Sequence, residues 1–342
     1  MAKNRVLILL VALLALSCTA RRRPKDELRI GFSAATDLFL LERWDKDIRV
    51  FSNVARELGA EVIFAKSPGD ALSQIPQIQY LLQQDIDVLV VIPQDMDILG
   101  GIVKKAMAKG IPVLTYDRPI MQVPISGYVS FDNREVGKLM ATALSSKVPR
   151  GRYLIVNGSI HDNNSFEVSR GVHEVLDPLI ARQDISLVDE IWLDFWSFDE
   201  ARQKIGKVLE RTTDIDAISC ANDQLAGAAV SLLAERRLAG KVQVVGQDAD
   251  LLACQRVVDG LQLMTVYKPL PNLATRAARV AVQMAKGERP VPDKWFDNSS
   301  GQDVPYYVEI PKAVYKEQMD ATVIQDGFHS REDVYRTAQA RE

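Results

Sequence analysis

Nine short apolar runs, spaced along the whole length of the chain, restrict its fold more than any other feature. They are LRIGFSA (28–34), EVIFAK (61–66), DVLVVIP (87–93), PVLTYD (112–117), YLIVNG (153–158), DEIWLD (189–194), DAISCAN (216–222), VQVVGQD (242–248) and LMTVYKP (263–269). Between them, segments such as DIRVFSNVARELG, DILGGIVKKAMAKG, NREVGKLMATALSS, EARQKIGKVLERT and NLATRAARVAVQMAKG repeat apolar residues every three or four positions. Several of these end on glycine, as helices do. Continuous apolar runs that alternate with helices predict parallel sheets buried on both faces.

So many βα units exceed what one open sheet comfortably holds, and 342 residues suit two doubly wound lobes of α/β type. An (αβ)₈ barrel is the rival. Against it, YVSFDN (128–133) follows the fourth unit after a stretch too short for a helical crossover, which points to a connection between lobes. The expected division is an N-terminal lobe of 28–130 plus 268–296 and a C-terminal lobe of 131–267 plus 297–342. The tail from Gly301, with YYVEIP and ATVIQDGFH, is expected to add a strand and wrap across both lobes.

Parallel α/β sheets carry their functional groups beyond the carboxyl ends of the strands. The runs in this chain end on Asp117 and Arg118, Asp132 and Asn133, Asn157 followed by DNN (162–164), Asp194 and Trp196, Asn222 and Asp223, Gln247 and Asp248, and Lys268. After the first run comes a polar loop, TDLFLLERW, bearing Glu42, Arg43 and Trp44. Each group alone has a plain structural reading. Asp117–Arg118 before Pro119 reads as an exposed turn with a weak ion pair. Asn133, Asp223 and Asp250 read as helix N-caps, Trp192 as core, and Trp196 as core or cleft. Lys268, after five apolar residues, needs a partner if it is buried. Recurrence at the ends of strands in both halves favours one cleft. Guanidinium forks, carboxylates, amides and indoles are the groups that hold a small neutral hydroxyl-rich ring, whereas an anion would require a surplus of donors.

The ordered set ERWDKD (42–47), YDR (116–118), SFDN (130–133), DNN (162–164), AND (221–223), GQDAD (246–250) and MTVYKP (264–269) resembles the pentose- and hexose-binding periplasmic receptors of ATP-binding-cassette importers. The resemblance runs from Leu28 through DGFH at 326–329. It implies a type I periplasmic binding protein fold, two Rossmann-like lobes joined by three hinge crossings, which closes on D-xylose or a similar monosaccharide. It also implies that Trp44 and Trp196 sandwich the pyranose. Arg43, Asp117, Arg118, Asn164, Asn222, Asp248 and Lys268 would bond its hydroxyls, with Asp117 orienting Arg118. Asp132, Asn133 and Asn163 would lie nearby or at the hinge. The implied partner is the membrane permease of a sugar importer, served by a monomer; docking on a membrane histidine kinase is the alternative.

At the N-terminus, Lys3 and Arg5 precede VLILLVALLALS, an apolar stretch too short to span a bilayer, and Cys18 follows Ser17. This is an export signal. LALSC resembles a bacterial lipoprotein signal, with Cys18 lipidated, residues 19–27 as a tether, and a location in the periplasm or at the cell surface. Ordinary cleavage and an uncleaved anchor are the alternatives. Cys220 and Cys254 are expected to be buried free thiols rather than a bridge, and the absence of a CxxC or Cys/His cluster argues against a metal. Net charge of −3 and a single short basic run, RRRPK, argue against nucleic acid. Asp117, Asp132, Asp194 and Asp248 leave open a glycosidase-like pair of carboxylates. His161, His173 and His329 form no motif, and no GxSxG, HExxH, phosphate loop or dinucleotide fingerprint is present. The expected function is therefore binding, without catalytic residues or cofactor.

Overall fold

The computed structural model describes residues 27–36, 41–68 and 70–339. The expected export signal, Cys18 and nearly all of the expected tether lie outside the described residues, as do the side chains of Arg43 and Trp44. The strands are β1 (Leu28–Thr36), β2 (Ala60–Pro68), β3 (Val88–Ile92), β4 (Val113–Tyr116), β5 (Gly127–Phe131), β6 (Gly151–Ser159), β7 (Ile185–Leu193), β8 (Ala217–Cys220), β9 (Gln243–Gln247), β10 (Met264–Tyr267), β11 (Lys294–Asp297), β12 (Asp303–Glu309) and β13 (Lys312–Val314). The helices are α1 (Leu41–Glu57), α2 (Gln74–Leu81), α3 (Gly100–Ala108), α4 (Asn133–Lys147), α5 (Asn163–Ala181), α6 (Phe198–Arg211), α7 (Asp223–Glu235), α8 (Leu251–Val258), α9 (Leu270–Ala285) and α10 (Arg331–Gln339).

Among the described residues two sheets form, in the orders β11-β12-β5-β4-β3-β1-β2 and β13-β10-β9-β8-β6-β7. Pairing is parallel throughout except at β11 and β13, which run antiparallel to their neighbours. Two open sheets, not a closed barrel, are what the apolar runs build. The reason is visible in β3, whose five residues are all buried. Val88, Val90 and Ile92 pack with Phe51 of α1 and Leu273 of α9, while Leu89 and Val91 pack with Leu81 of α2 and Ile102 of α3. The two-residue period of the strand thus feeds two cores at once. The second sheet repeats the scheme: Leu154 and Val156 face α6 and α7, and Tyr153 and Ile155 face α4 and α5.

Among the described residues the chain passes between the sheets three times. The first passage runs from β5 into α4 at Asp132; the short link before YVSFDN, expected to connect the lobes, joins β4 to its parallel neighbour β5 within the first sheet without a helix. The second runs from β10 through Lys268 and Pro269 into α9, whose Leu273 and Ala277 pack on the first sheet. The third runs from β12 to β13. The expected second-lobe segment from 297 is corrected here: β12 pairs with β5, Tyr306 opposite Tyr128, so residues 303–309 belong to the first sheet. The Tyr306 ring stacks on Tyr128 at 4.6 Å and its hydroxyl donates to the Phe131 carbonyl, contacts that no local pattern reveals. A second correction concerns TDLFLLERW, expected to be a loop, whose last residues form the first turn of α1. Beyond β13, Met319, Val323 and Val334 pack on the second lobe, and Phe328 reaches the core of the first. Cys220 and Cys254 are buried free thiols.

Helices α4 and α5 touch along glycine. A Cβ on Gly137 would stand 2.0 Å from the Val168 carbonyl oxygen, and one on Gly171 1.9 Å from that of Arg134. This approach sets the first residues of the two helices side by side at the crossing. There Asp132 caps α4 by accepting from the Glu135 N–H at 3.1 Å, and Lys294 of β11 bridges to it at 2.6 Å. Burial alone would raise the Asp132 carboxyl, but Lys294 and the Glu135 amide outweigh it and hold it below its usual range. A depressed acid contributes stability above its unfolded pKa and loses it as pH falls through the folded one. Lys294→Met is therefore expected to lower the melting temperature by roughly 1–3 °C at pH 7, with the difference shrinking as pH falls below the ordinary carboxylate range, as followed by thermal melts across pH.

Candidate ligand-binding cleft

Because the strands run parallel, their carboxyl ends lie along one edge of each sheet. Lys268 follows β10, Asp248 follows β9, Asn222 lies beyond β8, Asp162 beyond β6 and Trp196 beyond β7. With strands about 4.8 Å apart, these five positions form a row about 19 Å long. The matching edge of the first sheet carries Asp117 and Arg118 after β4 and Asp132 after β5. Arg43 and Trp44 fall in the first turn of α1, and their side chains lie outside the described residues.

One cluster joins the two edges. Arg118, 5% exposed, places Nε 2.9 Å from Asp162 Oδ2, and the same oxygen accepts from Trp196 Nε1 at 3.1 Å. Asp162 Oδ1 accepts from the Asn164 N–H at 3.0 Å. Burial raises the Asp162 carboxyl; Arg118 and the two N–H donors pull it back only in part. Trp196 is half-buried against the second-lobe core, and it lies on Gly158, where a Cβ would come within 2.1 Å of the indole. Core and cleft are thus both true of this residue. Asp162 is named among the strand-end groups as part of DNN, but the expected ligand set leaves it out. DNN was visible, but an aspartate opening a helix looks like any N-cap, and only its distant partners distinguish it.

Asp117 leaves the strand in the left-handed region, φ 63°, which aspartate tolerates better than most residues. Its carbonyl accepts from Ser130 Oγ (2.7 Å), Tyr128 Oη (3.0 Å) and, across the cleft, Asn164 Nδ2 (3.0 Å). Asn164 Oδ1 in turn accepts from Asn133 Nδ2 at 2.9 Å, made possible by the glycine contact between α4 and α5. Both ends of the Asn164 amide and the Nδ2 of Asn133 thus bond within the protein. Asp162 supplies an ion pair to Arg118. Asn163 is buried, and its Nδ2 makes no hydrogen bond among the described residues.

The second cluster lies on the second lobe. Lys268, 4% exposed, sits 3.3 Å from Asp248 Oδ1, which answers the demand for a partner. Asp248 is also left-handed, φ 97°, and its N–H donates to the Val266 carbonyl at 2.8 Å. Asn222 caps α7, its Oδ1 accepting from the Leu225 N–H at 3.0 Å. Asp223 is no cap. It accepts from Thr265 Oγ1 (2.7 Å), Gln262 Nε2 (2.8 Å) and the Asp250 N–H (3.1 Å), tying together the ends of β8, β9 and β10. Burial and the nearby Asp250 push its carboxyl well above the usual range. A cavity of about 350 Å³ opens here between Lys46 of the first lobe and Asn222, Asp248 and Phe328. Its size suits a small molecule. Among the buried charges at the strand ends, Arg118 pairs with Asp162 and Lys268 with Asp248, and walls that offer both donors and acceptors suit an uncharged polar ligand.

A sequence profile of the periplasmic binding protein domain matches residues 42–289. The D-xylose-binding periplasmic protein of Haemophilus influenzae is 40% identical, over 97% of this chain and 99% of its own. The protein of the same name from Escherichia coli K12 is 39% identical over the same shares. Among solved structures, a carbohydrate transporter solute-binding protein from Chloroflexus aurantiacus, in complex with D-glucose, superposes with a TM-score of 0.83 at 25% identity, covering 90% of this chain and 98% of that one. With a profile that matches most of the chain, near full-length relatives, and two parallel-sheet lobes that meet at their carboxyl edges, the chain belongs to the periplasmic binding protein family.

Proposed function

We propose that this chain is an exported solute-binding protein that captures D-xylose, or a closely related pyranose, and hands it to the permease of an ATP-binding-cassette importer. The observation that carries the reading is the pairing of buried charges at the strand ends, Arg118 with Asp162 across the cleft and Lys268 with Asp248 within the second lobe, in a chain 40% identical to a D-xylose-binding periplasmic protein. Arg118, Lys268 and Asn163 donate to ring hydroxyls, Asp117, Asp248 and Asn222 accept, and Trp196 covers one C–H face. Arg43 and Trp44 complete the site from the first lobe. Asn133, Asn164 and Asp132 hold the hinge side together. A micromolar affinity requires about −8 kcal/mol, within reach of such a set of bonds in a largely formed cleft. An epimer that misplaces one hydroxyl leaves a buried polar group unpaired, which can cost up to ~10⁴-fold. Catalysis finds no support in the carboxylates, since Asp248 is engaged by Lys268 and Asp132 by Lys294. In the same reading, acyl chains on Cys18, each buried CH₂ worth about 0.8 kcal/mol, hold the domain at the membrane surface beside its permease.

Calorimetric titration with D-xylose should give a Kd at or below about 10 μM. No heat with D-xylose, D-glucose, D-ribose or L-arabinose at millimolar sugar would sink the reading. Asp248→Asn keeps the side-chain shape and removes the acceptor charge beside Lys268, so affinity should fall at least ~100-fold while the fold persists. Gly158→Ala pushes a methyl into the Trp196 ring and should cost about 1–3 kcal/mol of stability. Tryptophan emission should shift to the red and D-xylose binding weaken together with it; a shift without weakening would remove Trp196 from the site.

A further inference from the structure

Asp248 and Ala249 are left-handed in succession, φ 97° and 53°, with no glycine between them. A Cβ disfavours that backbone, which persists only where surrounding contacts fix it. The N–H groups of the turn are fixed by strand ends of the second lobe. Asp248 donates to the Val266 carbonyl at 2.8 Å, Ala249 to Thr265 Oγ1 at 3.1 Å and Asp250 to Asp223 Oδ2 at 3.1 Å. The Ala249 carbonyl accepts from Cys254 Sγ at 3.3 Å, a weak donor, and from Nε2 of His329, 80 residues along the chain, at 2.8 Å. We infer that His329, seated by Phe328, is a positioning residue for the cleft: it clasps the Asp248–Ala249 turn and so fixes the Asp248 carboxylate beside Lys268.

The tail is built to hold that donor still. Met319, Val323 and Val334, all fully buried, anchor it on the second lobe. Between these anchors Gly327 turns the chain at φ 67°, and the Phe328 N–H donates to the Val323 carbonyl at 3.0 Å. The Phe328 ring meets the His329 imidazole edge-on, with centroids 4.6 Å apart, and lies 5.2 Å from the Tyr267 ring. Lys46 of the first lobe places Nζ 5.2 Å from the centre of the same ring. Tyr267 immediately precedes Lys268. Two consecutive tail residues thus brace the two halves of one ion pair, His329 through the carbonyl that follows Asp248 and Phe328 through the ring that precedes Lys268. A carbonyl only accepts, so Nε2 carries the proton in this contact and the imidazole serves as a fixed donor. Without that bond Ala249 can relax towards a right-handed or extended backbone, which swings the preceding carboxylate away from Lys268. The consequence for sugar affinity rests on the pyranose-binding reading; the rigidity of the turn does not.

The test compares His329→Leu, which fills the space without a donor, with His329→Gln, whose amide can place a donor where Nε2 stands. In the full chain His329→Leu should weaken D-xylose binding by about 3- to 15-fold, the worth of one such bond, and His329→Gln by no more than about twofold. Combined with Asp248→Asn, His329→Leu should cost less than about twofold further, because it acts through that carboxylate. In ligand-free protein, hydrogen–deuterium exchange of the segment 247–252 should speed up about 3- to 15-fold in His329→Leu and stay near the unsubstituted rate in His329→Gln. Unchanged affinity, equal losses in the two single variants, losses that multiply in the double variant, or unchanged exchange would each overturn the inference. If the unsubstituted chain binds no aldopyranose, the sugar reading fails, and the exchange comparison still decides on His329. Should His329→Leu not fold, His329→Asn keeps a polar side chain one bond too short to reach the carbonyl. It should show the same weakening and the same faster exchange, whereas unsubstituted behaviour in both overturns the inference.

Discussion

Two sheets buried on both faces leave only their edges for charge, and the organisation of this molecule follows from that constraint. Interior strand positions such as those of β3 are claimed by two cores at once, so a charged side chain there would lose its hydration without gaining a partner. Parallel pairing then puts every strand end of one kind on one side. The charges that gather there are themselves largely buried, and each ion taken out of water costs several kcal/mol unless it is paired. Arg118 with Asp162 and Lys268 with Asp248 meet that demand. The cleft is polar and close to neutral as a result.

Beside the apolar reach of Phe328, contacts between the lobes include polar ones of the same kind. Arg118 reaches Asp162, Asn164 reaches the Asp117 carbonyl, and on the loops after β3 and β6 the Met96 N–H donates to the His161 carbonyl while Asp95 lies 3.3 Å from His161 Nδ1. Directional polar bonds of this sort hold a defined closed geometry but give way to water at modest cost, whereas a continuous apolar interface would resist separation. Three chain crossings join the lobes. The two aspartates with left-handed backbones, Asp117 and Asp248, sit where strands stop and turn into this region. Uncommon backbone angles of that type cluster at ligand sites, where surrounding bonds hold them in place.

Much of the fold was legible in the residues. Uninterrupted apolar runs announced parallel sheets, and the demand of Lys268 for a partner was met by Asp248; the short interval before YVSFDN, read as a change of lobe, instead joins two parallel neighbours of the first sheet, and the chain crosses only after β5. What escaped notice had no distinctive local form. KWFD at β11 is four residues with mostly exposed side chains, and β12 joined the first sheet through Tyr306 on Tyr128, a contact far along the chain. Asp162, Asp223 and Asn222 all precede or open helices and look alike as letters. One bridges lobes, one ties three strand ends together, and one caps.

The amino-acid sequence by itself determined the strands and helices, the double burial of the sheets and the class of polar group at each strand end. These depend on periodicities of two and three to four residues, which neighbouring side chains set among themselves. Only the tertiary structure decided which acid meets which base. Arg118 and Asp162 are carried by different lobes, and their meeting depends on the order of strands, the glycine contact between α4 and α5 and the path of the hinge. Coulomb attraction over a few ångströms is strong, but nothing in the local sequence states which charges the fold will bring that close.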